Sequence, residues 1–172
     1  MILSDKEIKE KIEEEKLIEN FIDLNVQLQP ASFDLTLDEV FLLESQALID
    51  FDNKERRLPI YKKIEVKGEY YELQKGCYLI TFNEILNIPK DLIGLLRPRS
   101  SLVRSGASIF SSLWDPGYSG KSNCLLVVFN DNGIKLKKSA RIAQMIFLKL
   151  NKPPEKTYSG IYQKEGITKK VP

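Results

Sequence analysis

One stretch of the chain concentrates residues suited to phosphate chemistry. Arg97 to Gly120 reads RPRSSLVRSGASIFSSLWDPGYSG, with three arginines, seven serines and a single carboxylate, Asp115. Guanidinium forks and hydroxyls match phosphate oxygens. A carboxylate on a turn-forming Asp-Pro-Gly is held rigidly enough to orient and deprotonate a water. The stretch reads either as a polyphosphate site or as a polar loop whose serines bond backbone and whose arginines are solvated. The chain has no histidine, which removes Ser-His-Asp and Cys-His catalysis and the commonest transition-metal ligand. A general base must then be Asp, Glu, Lys, Tyr or a thiolate.

Three further polar segments lie on or between strand-like runs: QPASFDL (29–35), RIAQMIF (141–147) and YSGIYQKEG (158–166). Singly each is weak. Their order and spacing together with the Arg97–Gly120 stretch are far more specific.

The elements that must position them are mostly strands. FDLTLDEVFLL, KIEVKGEYYEL, GCYLITFNEIL, LIGLLRPRSSL, SNCLLVVFN and RIAQMIFLKL are short runs rich in Val, Ile, Leu, Phe and Tyr, several alternating apolar and polar residues. Gly68, Gly76, Asp115-Pro116-Gly117 and Asp131-Asn132-Gly133 supply turns. The pattern predicts a mainly β sandwich or barrel. Before it, LSDKEIKEKIEEEKL predicts a short helix over about 4–16. Ser4 and Glu7 make a capping box there, with Leu3 and Ile8 as a hydrophobic staple.

At 172 residues the chain reads as one domain, over 1–156, followed by a polar tail, 157–172. The tail has too few apolar residues to dock permanently and is expected to be mobile without ligand, with Tyr158 and Tyr162 folding over something when it closes. A net charge of +2 with charges of both signs favours neither nucleic-acid nor membrane binding. Cys77 and Cys124 lie far apart in apolar runs and read as buried thiols rather than a disulfide or zinc site. No apolar run approaches a membrane span and the amino terminus is too charged for a signal peptide, so a soluble, cytoplasmic protein is expected.

With the 97–120 stretch read as two segments, RPRSSLVRSG (97–106) and SLWDPGYSG (112–120), the five together resemble the superfamily of trimeric dUTP pyrophosphatases and dCTP deaminases, over nearly the whole chain. QPASFDL is similar to the first motif, with Asp34 at its acidic position. RPRSSLVRSG resembles the second, nearer in wording to the deaminase branch, and LWDPGYSG the third. RIAQMIF is similar to the fourth motif of the pyrophosphatases, and the tail to the closing segment. The resemblance implies a distorted, jelly-roll-like β-barrel assembled as a homotrimer with sites at subunit interfaces. It also implies Mg²⁺ held chiefly through the substrate triphosphate, with a water-mediated contact to Asp34.

The roles that follow are expectations. Asp115 activates the water, and Tyr118 packs on the deoxyribose. Arg99, Ser100, Ser101, Arg104, Arg141 and Gln144 hold phosphates, while Arg97 is a surface or interface residue. Uracil is read by backbone of the hairpin 109–113, including Ser112 and Leu113, and Tyr158 and Tyr162 cover the nucleotide. Ser112 departs from the glycine that many pyrophosphatases carry, and the tail lacks their glycine-rich phosphate arm. The deaminases place a catalytic glutamate three residues before the Asn that ends the strand after the third motif. Counting back from Asn130, this chain has Val127, which moves no proton. In the tail, the deaminase lysine and glutamine places hold Ile161 and Glu165. The expected activity is therefore Mg²⁺-dependent hydrolysis of dUTP to dUMP and pyrophosphate. The alternatives are a dCTP deaminase, alone or bifunctional, and a non-catalytic nucleotide-binding regulator of the same fold.

Overall fold

The structure, a computed structural model, describes residues 1–169. It opens with helix α1 (Asp5–Glu15), where both bonds of the capping box are made and Lys16 closes the carboxyl end in the left-handed region. Leu3 and Ile8 are both buried, as the staple requires. The helix then gives way to strands, and to two short helical turns that no period announced. In chain order these are β1 (Ile18–Glu19), α2 (Leu24–Gln27), β2 (Leu28–Gln29), β3 (Ser32–Leu43), β4 (Tyr61–Lys63) and β5 (Tyr70–Leu73). There follow β6 (Gly76–Asn87), β7 (Leu92–Pro98), α3 (Ser100–Arg104), β8 (Ala107–Phe110), β9 (Ser119–Val128), β10 (Ile134–Lys137) and β11 (Arg141–Lys149).

The main sheet runs β7-β11-β3-β6-β9-β8, all antiparallel, and β10 pairs with β5 in a separate ribbon. Register shifts between Leu37 and Val40 on β3, and between Thr81 and Ile85 on β6, add the local bends that let a sheet curl. The curl is nearly complete. Past the end of β8 the chain returns to β7, where Gly94 and Trp114 exchange both backbone hydrogen bonds, at 3.0 and 3.1 Å. Gly94 is what permits that approach: a Cβ there would lie 3.0 Å from the Trp114 Cβ and 3.1 Å from the Met145 sulfur. The result is the mainly β, barrel-like fold with a short amino-terminal helix that the pattern predicts.

The barrel's interior is filled by alternate residues of its strands, among them Phe33, Leu35, Leu37, Ile80, Phe82, Leu126, Met145 and Phe147. Alternation also corrects one expectation. Tyr78 and Ile80 of β6 point inward, so Cys77 points out and is exposed; only Cys124 is a buried thiol. Two other segments differ from their sequence reading. The run expected to continue as strand through Leu102 turns into α3 after Pro98. Residues 45–60, which carry no clear period, form an arm in which Leu48 and Arg57 exchange backbone hydrogen bonds. No helix among the described residues is long and apolar enough to cross a membrane.

Candidate active site

The predicted site residues fall into two groups within one chain. The first lines a cleft of ≈ 710 Å³ and contains Ser112, Leu113, Asp115, Tyr118, Tyr158 and Tyr162. Arg99, Ser100, Ser101, Arg104, Arg141 and Gln144 line none of it; they sit around the junction of β11, β3 and the end of β7.

The cleft is built on the start of β9. Asp115 sits in a turn closed by the Tyr118 amide donating to the Asp115 carbonyl at 3.1 Å, with Gly117 at φ +86°. The amide of Gly117 is held in turn by the Ile88 carbonyl at 2.8 Å, so the carboxylate is presented from a fixed backbone. Asp115 itself is half-buried. Tyr118 is 7% exposed, its hydroxyl 3.3 Å from the Lys121 carbonyl. Burial pushes its phenol up to about 12. It is a neutral wall and no acid. Trp114 packs below, its indole N–H donating to the Ser122 hydroxyl, while Ser112 and Leu113 form an exposed rim.

The tail has more to dock on than its composition suggested. The Tyr158 amide donates to the Pro116 carbonyl at 2.8 Å, and its ring meets that of Tyr118 edge to face. The Lys164 amide donates to the Ser119 carbonyl at 2.7 Å, and the Lys121 amide to the Glu165 carbonyl at 2.8 Å. Gln163 bridges the Ser119 amide and the Gly117 carbonyl. Backbone groups at the start of β9 thus provide what apolar side chains do not. Residues 170–172 lie outside the described part.

Several cleft residues escaped the sequence reading, Tyr61 and Asn123 among them. Tyr61, from β4, joins the wall together with Leu58 just before it. Asn123, on β9, donates its side-chain amide to Glu165 at 2.8 Å. The Glu165 carboxyl is nearly enclosed, 7% exposed, and burial pushes it up to about 7. No local motif marks either residue; only the pairing of distant segments does.

The second group centres on Asp34, which has no solvent exposure. Its Oδ2 accepts from Arg141 Nη1 at 3.2 Å and forms an ion pair with Arg99, whose Nε also lies 3.2 Å away. Arg141 also donates to the Val26 carbonyl at 2.7 Å and Arg99 to the Arg141 carbonyl at 3.2 Å. Burial pushes the Asp34 carboxyl up while the two guanidiniums pull it down. Behind it, Gln27 donates to the Asp34 carbonyl and to Glu84, a buried carboxylate that also takes the Thr36 amide and hydroxyl. Gln144 stands opposite Asp34 and Arg97 in the strand register, its amide 3.5 Å from the Ser32 hydroxyl. Ser100, Ser101 and Arg104 are exposed on α3 beside the arginines, and Arg97 is exposed on β7.

A barrel with a fixed carboxylate in a half-apolar cleft, and a separate guanidinium cluster, is a scaffold for handling a nucleoside polyphosphate. Residues 2–150 match the dCTP deaminase-like family, and the chain belongs to that family. Among relatives, the probable deoxyuridine 5'-triphosphate nucleotidohydrolase of Methanosarcina acetivorans is 44% identical over 167 residues, covering 96% of this chain and 98% of that one. The deoxyuridine 5'-triphosphate nucleotidohydrolase of Methanocaldococcus jannaschii is 38% identical over 139 residues, covering 80% and 87%. Among solved structures, the 2'-deoxycytidine 5'-triphosphate deaminase of Agrobacterium tumefaciens superposes with a TM-score of 0.63 at 22% identity. That match covers 85% of this chain and 47% of the deaminase chain, and it speaks to the fold alone.

Proposed function

We propose that the protein hydrolyses dUTP to dUMP and pyrophosphate. The observation that carries this is Asp115: a half-buried carboxylate, fixed on a hydrogen-bonded turn beside the buried face of Tyr118. Relatives alike over almost their whole length bear the corresponding nucleotidohydrolase name. Deamination would require a proton-transferring carboxylate on β9. That strand reads SGKSNCLLVV, so neither Val127 nor any neighbour on it supplies one.

In this reading Asp115 accepts a proton from a water as its oxygen bonds to phosphorus. The α–β phosphate bridge then breaks and pyrophosphate leaves with the bond's electron pair. Positioning and charge neutralisation carry most of the rate. Arg99, Arg104 and Arg141 present N–H donors to the triphosphate, with Ser100, Ser101 and Gln144 as neutral donors. Asp34, sealed beneath Arg99 and Arg141, orients them. Tyr118 offers the deoxyribose a ring face, where a 2'-hydroxyl would lose its water and gain no partner. Among the described residues no cluster of three carboxylate, thiol or imidazole groups could hold a metal. In this reading Mg²⁺ arrives with the triphosphate. When bound, the ion supplies charge neutralisation on the phosphates.

The division of the site supports a homotrimer, with the cleft of one copy facing the arginines of the next and the tail, 157–172, closing over the nucleotide. An exposed free thiol at Cys77 suits the reducing cytoplasm. Incubating pure protein and Mg²⁺ with dUTP or dCTP, and identifying products by chromatography, tests the reading. The expected products are dUMP and pyrophosphate from dUTP, and none from dCTP. dUTP or dUMP from dCTP would mean deamination, and binding without turnover would mean a regulator.

A further inference from the structure

We propose that Glu84, buried on β6, is a positioning residue for the phosphate end of the site, acting through Gln27 and Thr36 on Arg141. The inference rests on the dUTP reading above and adds to it a residue that touches no substrate.

Glu84, Gln27 and Thr36 are each 1% exposed. The Glu84 Oε2 accepts from the Thr36 amide at 2.9 Å. Its Oε1 accepts from the Gln27 side-chain amide at 2.7 Å and from the Thr36 hydroxyl at 2.6 Å. Main chain fixes the Gln27 side chain from its other sides. Its oxygen accepts from the Ile22 and Asp23 amides at 2.8 and 3.0 Å, and its nitrogen also donates to the Asp34 carbonyl at 2.9 Å. It cannot turn over. The Thr36 amide cannot reverse either, so both carboxyl oxygens face fixed N–H groups whatever charge Glu84 carries. Burial pushes that carboxyl up while the same donors pull it down. Only a carboxyl group has two oxygens to offer there.

Two routes lead from Glu84 to Arg141. One runs through α2. Gln27 holds residues 22 and 23, the Asp23 carboxylate caps the amides of Asn25 and Val26 at 2.9 and 3.3 Å, and the Val26 carbonyl accepts from Arg141 at 2.7 Å. The other runs through β3. From Arg141 to Ala143, β11 advances two residues while its partner steps only from Thr36 to Leu35. A bulge of this kind re-aims a side chain, and here the side chain is Arg141. The Thr36 amide, opposite Arg141 at that bulge, is taken by Glu84. One buried carboxyl thus braces both the turn that holds the guanidinium and the strand that carries Asp34. A donor aimed at a phosphate oxygen is only as well placed as the shell behind it.

The test is a double-mutant cycle read as affinity for α,β-imido-dUTP with Mg²⁺ by calorimetry, alongside steady-state dUTP hydrolysis. Glu84→Gln keeps the shape but sets an NH₂ against one of the fixed N–H groups. We expect it to weaken binding about tenfold in the parent. KM should rise to match with kcat within about threefold, because Asp115 and its turn lie outside the network. In an Arg141→Ala background the same substitution should cost less than about twofold. In an Arg104→Ala background, where the lost side chain is exposed on α3, the whole loss should remain. If Glu84→Gln does not fold, Gln27→Met breaks the same relay and is carried through the same cycle. Parent-like affinity in the Glu84 variant, or an equal loss with and without Arg141, overturns the assignment. A parent that binds the analogue but does not hydrolyse dUTP defeats the proposed activity instead, and the binding cycle still decides the role of Glu84.

Discussion

The rings of Tyr118 and Tyr158 meet edge to face, with centroids 5.5 Å apart and planes at 68°. Tyr118 follows Asp115 on the turn, and Tyr158 stands near the start of the tail. The wall of the cleft and the tail are therefore in direct contact, through a pair worth about 0.5–1.5 kcal/mol beyond the area it buries.

Deleting residues 157–172 removes that contact and every tail hydrogen bond to β9. The barrel closes through Gly94 and Trp114 without the tail, so the truncated chain should fold with its circular dichroism unchanged. Its kcat/KM for dUTP should fall by ~10-fold or more, because the cleft no longer excludes water. Unchanged kinetics would show that the tail covers nothing.

Asp115→Asn keeps size and turn geometry and removes the base. Turnover should drop by about 10²–10⁴, while affinity for α,β-imido-dUTP stays within a few-fold. An Asn variant that turns over almost as fast as the parent would move the base elsewhere.

Docking of the tail should weaken as pH rises. The Glu165 carboxyl is raised from 4.5 to about 7 by burial, against the Asn123 hydrogen bond and Lys169, which both lower it. Tyr61, Tyr118, Tyr158 and Tyr162 also face it from β4, the turn after Asp115 and the tail, and Asp115 shares the cleft. Between these two pH values the docked tail holds a proton that the released tail has lost, so docking is strongest at the acid end and falls as pH rises through about 7. Protection factors of residues 158–166 by hydrogen exchange, corrected for intrinsic rates, should decline from pH 5 to 8. In Glu165→Gln the decline should vanish.

If phosphate and water are handled by different copies, two inactive chains can repair each other. Asp115→Asn and Arg99→Ala, unfolded together and refolded as a mixture, should recover roughly a quarter of the parent's sites by random assortment in a cyclic oligomer. No recovery in mixed oligomers confirmed by mass spectrometry would place both groups in one chain's site.

Gly94→Val tests closure of the barrel. A side chain there runs into Trp114 and Met145, and overpacking of this kind costs ~1–3 kcal/mol. Thermal denaturation should show a Tm lower by several degrees. An unchanged Tm would mean that the β7–Trp114 seam yields easily.

What the sequence revealed was local. Ser4 and Glu7 announced α1 because a capping box is written in adjacent residues, and Asp115-Pro116-Gly117 announced its turn for the same reason. Strands such as β6, β9 and β11 showed in their alternation. α2 and α3 did not, since four or five residues are too few to display a helical period. The exposure of Cys77 turned on which parity of β6 faces inward, which its neighbours alone left open. The Asp34–Arg99–Arg141 cluster joins residues from three strand regions, and Asn123 meets Glu165 across 42 residues. Such pairings are set by the closed sheet, and no spacing encodes them. The same holds for the tail, whose anchor is main chain.

Asp34 has one more consequence. A free arginine side chain loses up to about 2 kcal/mol of rotamer freedom when a ligand fixes it. Arg99 and Arg141 are already fixed by a carboxylate beneath them before any nucleotide arrives. That entropy is surrendered once, while the chain folds, and not again at each encounter with substrate. In the proposed reading, part of the affinity for a triphosphate is thus stored in the folding reaction, and a variant that frees the two arginines should bind a triphosphate more weakly.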